Sequence, residues 1–338
     1  NTFGANEIVL SEYELQHRTQ EINRIAGQIA RLAADKYSDS KPRFVAGSIG
    51  PGTRLISLNQ TDFPTMYHSY LQQAKGLVEG GVDLFIIETC QDLLQIKTAL
   101  LAVQDAMVEM NYHAPIIVSV TVETTGTLLV GSEMSAVLTA LAPFKIDVLG
   151  MNCATGPKHM RPYIRQICQT FDGPVLCQPN AGLPENIDGE MVYTLPISEF
   201  TDELTSFVSG EGVQIIGGCC GTNPDFIRSL AERNQTLEIA PRTPEYQPGV
   251  ASLFSSFELH QDPGPFFIGE RANTNGSKKF KKHLLENDWD GVVAIARQQQ
   301  HTGAHGLDLC VAYTGRDEVA DMTEAVKRIV RQVNLPLF

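Results

Sequence analysis

Short apolar runs alternate with helical segments along most of this 338-residue chain. Each run is nearly continuous in Val, Ile and Leu, which predicts a strand buried on both faces. Between the runs, apolar residues recur at the spacing of a helix; the first helical segment extends from a capping box at Ser11 and Glu14 to about Lys36. This repeat predicts a parallel sheet covered by helices. The strands predicted before residue 217 are 44–49, 83–89, 116–122, 146–152, 174–178 and 213–216.

The position of polar residues decides between a barrel and a doubly wound sheet. Several of them stand at the carboxyl ends of predicted strands, which form the functional rim of a (βα)8 TIM barrel. Six strands are two fewer than such a barrel needs, and Asn1-Thr2-Phe3 resembles the end of another strand. We therefore predict an α/β barrel that lacks its first strands, with a six-stranded open sheet as the alternative. The rim residues are Glu88, Asn152, Cys153, Asn180, Cys219 and Cys220.

The βα rhythm stops after residue 235 and resumes near residue 265. Prolines and polar residues dominate residues 236–264, which predicts an extended linker. Beyond it, strands are predicted at 266–270 and 307–311, and the final residues 335–338 resemble a strand that has been cut short. The sequence thus predicts a barrel over residues 1–235, a linker over 236–264 and the start of a second barrel over 265–338.

The composition excludes several classes of partner. The chain has 26 Lys and Arg against 39 Asp and Glu, a net charge of −13. This charge repels the phosphates of nucleic acids and the surface of anionic membranes. No apolar stretch approaches the roughly 20 residues that a membrane span needs. The 7 cysteines are odd in number and mostly scattered, which is typical of reduced thiols, and we expect a cytoplasmic protein.

Two adjacent cysteines, Cys219 and Cys220, are flanked by glycines in the segment 217–222. Neighbouring side chains on a strand point to opposite faces, so both thiols reach one metal ion only where the backbone leaves strand geometry, which glycine permits. Cys153 ends an earlier predicted strand and shares the same rim. Three thiolates occupy three corners of a zinc tetrahedron and leave the fourth free, as in catalytic zinc sites. A thiol bound there loses its proton and becomes a nucleophile for a methyl group.

Other interpretations of these residues are possible from the sequence alone. The cysteine pair is compatible with two buried structural thiols or with a disulfide between neighbours. Glu88 is compatible with a satisfied carboxylate or with a contact to the amino group of a substrate. The side-chain oxygen of Asn180 is a candidate fourth ligand of the metal, and Asn152 is a candidate substrate contact.

Together, these motifs resemble the homocysteine-binding methyltransferases. The resemblance implies a (βα)8 barrel, zinc on Cys153, Cys219 and Cys220, and homocysteine held near Glu88. The matching segments are Asn1 to Ala5, Gly50-Pro51, Ile87 to Thr89, Asn152 to Pro157, Pro179 to Gly182 and Gly217 to Thr222.

The segments 268–273 and 276–280 resemble the start of the folate-binding barrel in cobalamin-dependent methionine synthases. This resemblance implies that Asn273 contacts a pterin ring and that Asp308 belongs to the same site, although Cys310 stands where those enzymes often have an asparagine. It also implies that methylcobalamin, held by a module outside this chain, methylates homocysteine and is recharged by 5-methyltetrahydrofolate. The alternatives are a stand-alone methyltransferase that uses betaine or a sulfonium donor, and a non-catalytic zinc protein.

Overall fold

The computed structural model describes residues 1–39 and 41–338. The chain divides into two compact units. The first comprises Asn1–Val130 and Leu141–Tyr246, and the second comprises Gly131–Ala140 and Gln247–Phe338.

A six-stranded parallel sheet forms the centre of the first unit, and its strands correspond to the six predicted ones. Neighbouring strands follow one another in chain order from one edge of the sheet to the other. A doubly wound sheet would instead reverse its strand order at a switch point, so this succession is that of an α/β barrel. The strands are β1 (Ala46–Ile49), β2 (Leu84–Cys90), β3 (Ile116–Val120), β4 (Val148–Asn152), β5 (Val175–Gln178) and, after an intervening hairpin, β8 (Ile215–Ile216).

Helices connect successive strands and cover the sheet. The hairpin between β5 and β8 consists of β6 (Pro184–Ile187) and β7 (Glu190–Tyr193), which pair antiparallel. Its turn, Asp188-Gly189, has positive φ at both residues, as a two-residue hairpin turn requires. The helices are α1 (Glu7–Ser11), α2 (Thr19–Tyr37), α3 (Phe63–Glu79), α4 (Leu93–Glu109), α6 (Pro157–Thr170), α7 (Ile197–Ser206) and α8 (Pro224–Arg233); α5 (Met134–Leu141) lies mostly in the second unit.

The first helical segment differs from its prediction. Ser11 ends α1, where its hydroxyl donates to the carbonyl oxygen of Ile8, and the chain turns at Glu14 with a φ of +60°. The long helix α2 therefore begins at Thr19, so the capping-box prediction was wrong. Gly27 of α2 packs directly on the backbone of Gly80, and this close approach requires the absence of a side chain.

The second unit contains its own core and a second parallel pairing. β11 (Ile268–Asn273) pairs with β12 (Gly306–Cys310), and residues 336–338 hydrogen-bond to β12 through an isolated parallel bridge between Leu307 and Leu337. Phe280, Leu284 and Leu307 are fully buried in this core. Its remaining elements are the hairpin strands β9 (Gly249–Ala251) and β10 (Ser256–Glu258) and the helices α9 (Lys278–Leu285), α10 (Trp289–His301) and α11 (Glu318–Ile329). In the described parts of both units, no helix combines the length and the apolar character of a membrane span.

Gly150 allows β4 and β5 to approach closely just below the rim. It pairs with Leu176 of β5, and a Cβ at position 150 would lie 2.1 Å from the Leu176 carbonyl oxygen. Because the obstacle is backbone, it moves only if β5 moves. The position of Asn152, two residues further along β4, depends on the same close spacing between β4 and β5.

We therefore expect Gly150→Ala to lower the free energy of unfolding by about 1–3 kcal/mol, the usual cost of overpacking. Urea unfolding followed by circular dichroism measures this change. Gly210→Ala is the matched control, because a Cβ there meets nothing within 4 Å. Equal unfolding midpoints for the two variants would contradict the packing argument.

Candidate metal centre

The three predicted metal ligands converge at the carboxyl ends of β4 and β8. The Sγ atoms of Cys153, Cys219 and Cys220 all lie within 4.8 Å of one another. Cys153 Sγ is 3.8 Å from Cys220 Sγ, and Cys219 Sγ is 4.0 Å from Cys220 Sγ. The second distance excludes a disulfide between the neighbouring cysteines in this structure. Cys153 and Cys219 are half-buried and Cys220 is exposed, so the cluster opens towards solvent.

Hydrogen bonds to the loop after β5 position the cysteine pair. The amide of Cys219 donates to the carbonyl oxygen of Pro179 at 2.9 Å, and the amide of Ala181 donates to the carbonyl oxygen of Cys220 at 2.9 Å. Gly221 then turns the chain with a φ of +79°. The two thiols therefore lie outside regular strand geometry, as the flanking glycines predicted.

Cys153 occupies a backbone conformation that is unusual for its residue type. Its φ is +64°, and that of Ala154 is +56°. Such left-handed residues cost on the order of 1–3 kcal/mol each and persist only where the surroundings determine them. The amide of Cys153 donates to the carbonyl oxygen of Gln178 at 3.1 Å, which ties this turn to β5. The strain therefore lies at the residue that must direct its sulfur towards the other two.

Asn152 is fully buried and joins several elements beneath the cysteines. Its Oδ1 accepts hydrogen bonds from the Thr89 amide at 2.9 Å and the Ser119 hydroxyl at 2.7 Å. Its Nδ2 donates to Thr89 Oγ1 at 2.7 Å and towards Cys219 Sγ at 3.9 Å. An amide side chain has two donor and two acceptor positions, and all four are used within the protein. The geometry therefore favours a positioning role over the predicted contact with substrate.

Asn180 also holds the cysteine loop. Its Oδ1 accepts a hydrogen bond from the backbone amide of Cys220 at 3.0 Å, and the side chain is almost fully buried. In the sequence this oxygen was a candidate fourth metal ligand. In the structure this oxygen accepts one hydrogen bond, from the Cys220 backbone, which shapes the loop. An amide oxygen has two acceptor positions, so the role of Asn180 as a metal ligand stays a prediction.

Glu88 lies at the carboxyl end of β2 on the same rim. Its Oε1 accepts a hydrogen bond of 2.5 Å from the hydroxyl of Ser48, which is on β1. A carboxylate offers about four acceptor positions, so this single contact leaves capacity for a ligand. Glu88 is half-buried, so its carboxylate is fixed by Ser48 and remains accessible to a ligand.

The three thiols of the cluster differ in acidity. The neighbouring Cys219 thiol and the Ala154 amide lower the pKa of Cys153. The proximity of Cys153 raises the pKa of Cys219, while burial raises that of Cys220. A lowered pKa favours the thiolate, which is the form that binds metal.

Tyr193, the last residue of β7, is a neighbour of this cluster that sequence reasoning missed. Its ring packs on the cysteine loop, since a Cβ at position 221 would lie 2.3 Å from Tyr193 Cγ, and burial together with the charge of Cys220 raises the pKa of this phenol. The hairpin that carries it was not predicted. The Asp188-Gly189 pair between two extended runs was the available signal, since Asp-Gly favours a tight hairpin turn.

The two residues predicted for the folate site meet in the second unit. Asn273 ends β11 and Asp308 lies on β12, and Asn273 Nδ2 donates to Asp308 Oδ2 at 2.7 Å. Asn273 Oδ1 accepts a hydrogen bond of 2.9 Å from the amide of Asn275, which shapes the loop after β11. Asn273 pairs with Cys310 in the parallel register, and its amide lies beside the Asp308 carboxylate from the middle of β12.

Two family models match successive segments of the chain. The family model for homocysteine S-methyltransferase matches residues 1–234, and that for pterin binding enzyme matches residues 269–336. The methionine synthase of Mycobacterium tuberculosis is 41% identical over 339 residues, and that of Mycobacterium leprae is 40% identical over 345 residues. In both cases the match covers 100% of this chain but 28% of the relative, so the chain spans less than a third of their length.

Solved structures share the fold of about two thirds of the chain. The homocysteine methyltransferase MmuM of Escherichia coli, in its metallated form, matches with a TM-score of 0.55 and 19% identity, over 69% of this chain and 77% of that one. Its oxidized form matches with a TM-score of 0.55 and 18% identity over the same shares. At these low identities, the TM-scores show a shared fold alone. The match to residues 1–234 covers more than half of the chain, and this chain belongs to the homocysteine S-methyltransferase family.

Proposed function

We propose that the first unit binds zinc and homocysteine and presents the homocysteine thiol as the acceptor of a methyl group. The observation that carries this proposal is the convergence of Cys153, Cys219 and Cys220 within 4.8 Å. Two sulfurs bound to one zinc ion at about 2.3 Å in tetrahedral geometry stand about 3.8 Å apart. The distances from Cys220 Sγ to the other two sulfurs, 3.8 and 4.0 Å, are close to this value, and the third pair lies within 4.8 Å.

The donor set also fits zinc chemically. Three thiolates select a soft or borderline ion and leave one tetrahedral position for an incoming ligand. A zinc ion held by the three cysteines would stabilise, at neutral pH, the thiolate form of a thiol in this fourth position. It would so supply a nucleophile. The chain's own residues hold the sulfurs in position, through the Asn152 contact to Cys219 and the Asn180 contact to the backbone of Cys220.

Glu88 is the candidate partner for the amino group of homocysteine. It lies on the rim with the cysteines, and its hydrogen bond from Ser48 holds the carboxylate in one orientation. An ammonium group pairs favourably with a half-buried carboxylate. This contact would orient the amino acid so that its thiol reaches the cysteine cluster.

The second unit favours a folate donor over the alternatives. Residues 269–336 match a pterin-binding family, and the relatives with about 40% identity are methionine synthases. We therefore propose that Asn273 and Asp308 contact the pterin ring of 5-methyltetrahydrofolate, and that the methyl group passes through methylcobalamin held by another module. A stand-alone methyltransferase that uses betaine or a sulfonium donor would have no use for a pterin site.

The first prediction concerns metal content. Chain purified under reducing conditions should contain about one zinc ion, and Cys219→Ser should lose it, because two thiolates no longer complete the site. Elemental analysis measures the zinc, and circular dichroism confirms that the variant is folded. Cys310→Ser, in the second unit, is the control that should retain zinc. Folded wild-type chain without zinc, or Cys219→Ser with full zinc, would refute the ligand assignment.

The second prediction concerns homocysteine. Glu88→Gln should weaken its binding at least about tenfold, since a hydrogen bond to a charged group contributes about 1.5–3 kcal/mol. Calorimetric titration of zinc-loaded chain measures the affinity, with Glu232→Gln on the exposed face of α8 as the matched control. Unchanged affinity in Glu88→Gln would remove this residue from the site. If homocysteine leaves the X-ray absorption spectrum of the zinc unchanged, the alternative of a non-catalytic protein with a closed, structural zinc site is favoured.

The third prediction concerns the donor. The chain should bind 5-methyltetrahydrofolate, and Asp308→Ala should weaken binding on the order of tenfold, because one charged hydrogen-bond partner is lost. Equilibrium dialysis measures this, with Asp290→Ala, at a fully exposed position, as the control. Binding of betaine in the absence of folate binding would favour the stand-alone alternative.

A further inference from the structure

The strand β2 contains an extra residue where it reaches the rim. Ile87 pairs with Val118 of β3, whereas Cys90 pairs with Val120, so β2 advances three residues where β3 advances two. This is the geometry of a β-bulge, which changes the direction of side chains and is frequent beside active sites. The extra residue falls at positions 88–89, and the bulge therefore includes the carboxylate proposed for the amino group of the substrate.

Thr89 has a backbone conformation that is rare for its residue type. Its φ is +59°, and a β-branched residue adopts a positive φ only where the surrounding structure determines it. Here Asn152 contacts Thr89 twice. The Thr89 amide donates to Asn152 Oδ1 at 2.9 Å, and Thr89 Oγ1 accepts from Asn152 Nδ2 at 2.7 Å. Because one contact involves the backbone and the other the side chain, both the position and the orientation of Thr89 are fixed.

The bulge allows two adjacent residues to contribute to one face of the sheet. Ile86 and Val148 pack in one cluster on this face. Alternate residues of a strand share a face, which places Glu88 with Ile86 and Asn152 with Val148. Thr89 is only one residue beyond Glu88, yet its hydroxyl contacts Asn152 on the same face. In a regular strand these two neighbours would point to opposite faces.

Asn152 connects this bulge to the cysteine cluster. Its Nδ2, which donates to Thr89 Oγ1, also lies 3.9 Å from Cys219 Sγ. On the other side of Thr89, the carbonyl oxygen of Glu88 accepts a hydrogen bond of 3.6 Å from the thiol of Cys90. One peptide bond and two hydrogen bonds thus join Glu88 to Cys219 through Thr89 and Asn152. This path fixes the spacing between the carboxylate and a metal-binding sulfur.

We propose that Thr89 is a positioning residue for recognition of the amino acid. By fixing the bulge to Asn152, it sets the spacing between Glu88 and the cysteine cluster, so that the site selects a thiol that carries an ammonium group over a simple thiol. Thr89 acts through Glu88 and Asn152 and not by contact with the ligand. The inference rests on the proposed function and deepens it, because it names the residue that makes the site selective.

The test compares two ligands of the zinc-loaded whole chain, homocysteine and γ-mercaptobutyrate, which has the same carboxylate and thiol but no amino group. Thr89→Val keeps the branched Cβ and removes the hydroxyl, so Asn152 Nδ2 loses its acceptor. We expect this variant to bind homocysteine about tenfold more weakly, because a buried donor is left unpaired and the bulge is no longer fixed. Its affinity for γ-mercaptobutyrate should be unchanged. Calorimetric titration measures both affinities.

Three further variants complete the series. Thr89→Ser keeps the hydroxyl and should restore the affinity for homocysteine. Thr89→Gly adopts the positive φ without strain and lacks the hydroxyl, so it should show the same selective loss even if Thr89→Val fails to fold. Thr65→Val, at an exposed position on α3, is the control. Circular dichroism checks the fold of each variant, and elemental analysis checks its zinc.

The outcomes separate this inference from the proposed function. Wild-type chain without zinc, or with zinc but with equal affinity for the two thiols, would refute the proposed function and this inference with it. Wild-type selectivity retained in the folded Thr89 variants that lack the hydroxyl would refute the role of Thr89 and leave the proposed function standing. Equal weakening of both thiols, or loss of zinc from these variants, would indicate a general structural role and also refute the inference.

Discussion

The side-chain amide of Asn152 is the interaction on which the arrangement at the rim depends. It connects β4 to Thr89 at the end of β2 and to Ser119 on β3, and it reaches Cys219 in the loop after β8. Four segments distant in sequence thus share one fully buried group. In a low-dielectric interior, each of these hydrogen bonds is strong and costly to lose, so the amide holds the segments in one register.

The hydrogen bonds of Asn152 help to hold strained residues at the rim. Thr89, Cys153 and Ala154 all have positive φ and lack the freedom of glycine. Conformations of this kind cluster at functional sites because a surrounding network compensates for their cost. Here the network consists of the Asn152 amide and the bonds between the loops after β4, β5 and β8. The strain directs the Cys153 sulfur towards the pair at 219 and 220.

Both units use the same principle for their sites. Parallel strands bring their carboxyl ends to one edge, so residues far apart in sequence become neighbours there. In the first unit this edge gathers three thiols and Glu88, a set suited to a soft metal ion and an amino acid. In the second it gathers Asn273 and Asp308, whose amide and carboxylate suit a heterocycle with both donors and acceptors. The candidate site of each unit is thus defined by the side chains that its strands bring to this edge.

The succession of strands, the (βα) winding and the three cysteines at strand ends were determined by the sequence itself, because apolar periodicity and glycine placement are local properties. Only the tertiary structure decided how the polar residues are used. Asn152 and Asn180 hydrogen-bond to other segments of the protein, the Tyr193 ring packs on Gly221, and α2 begins later than its periodicity indicated. These outcomes depend on contacts between segments that are distant in the chain. No local pattern encodes such contacts, because they arise when the strands assemble side by side.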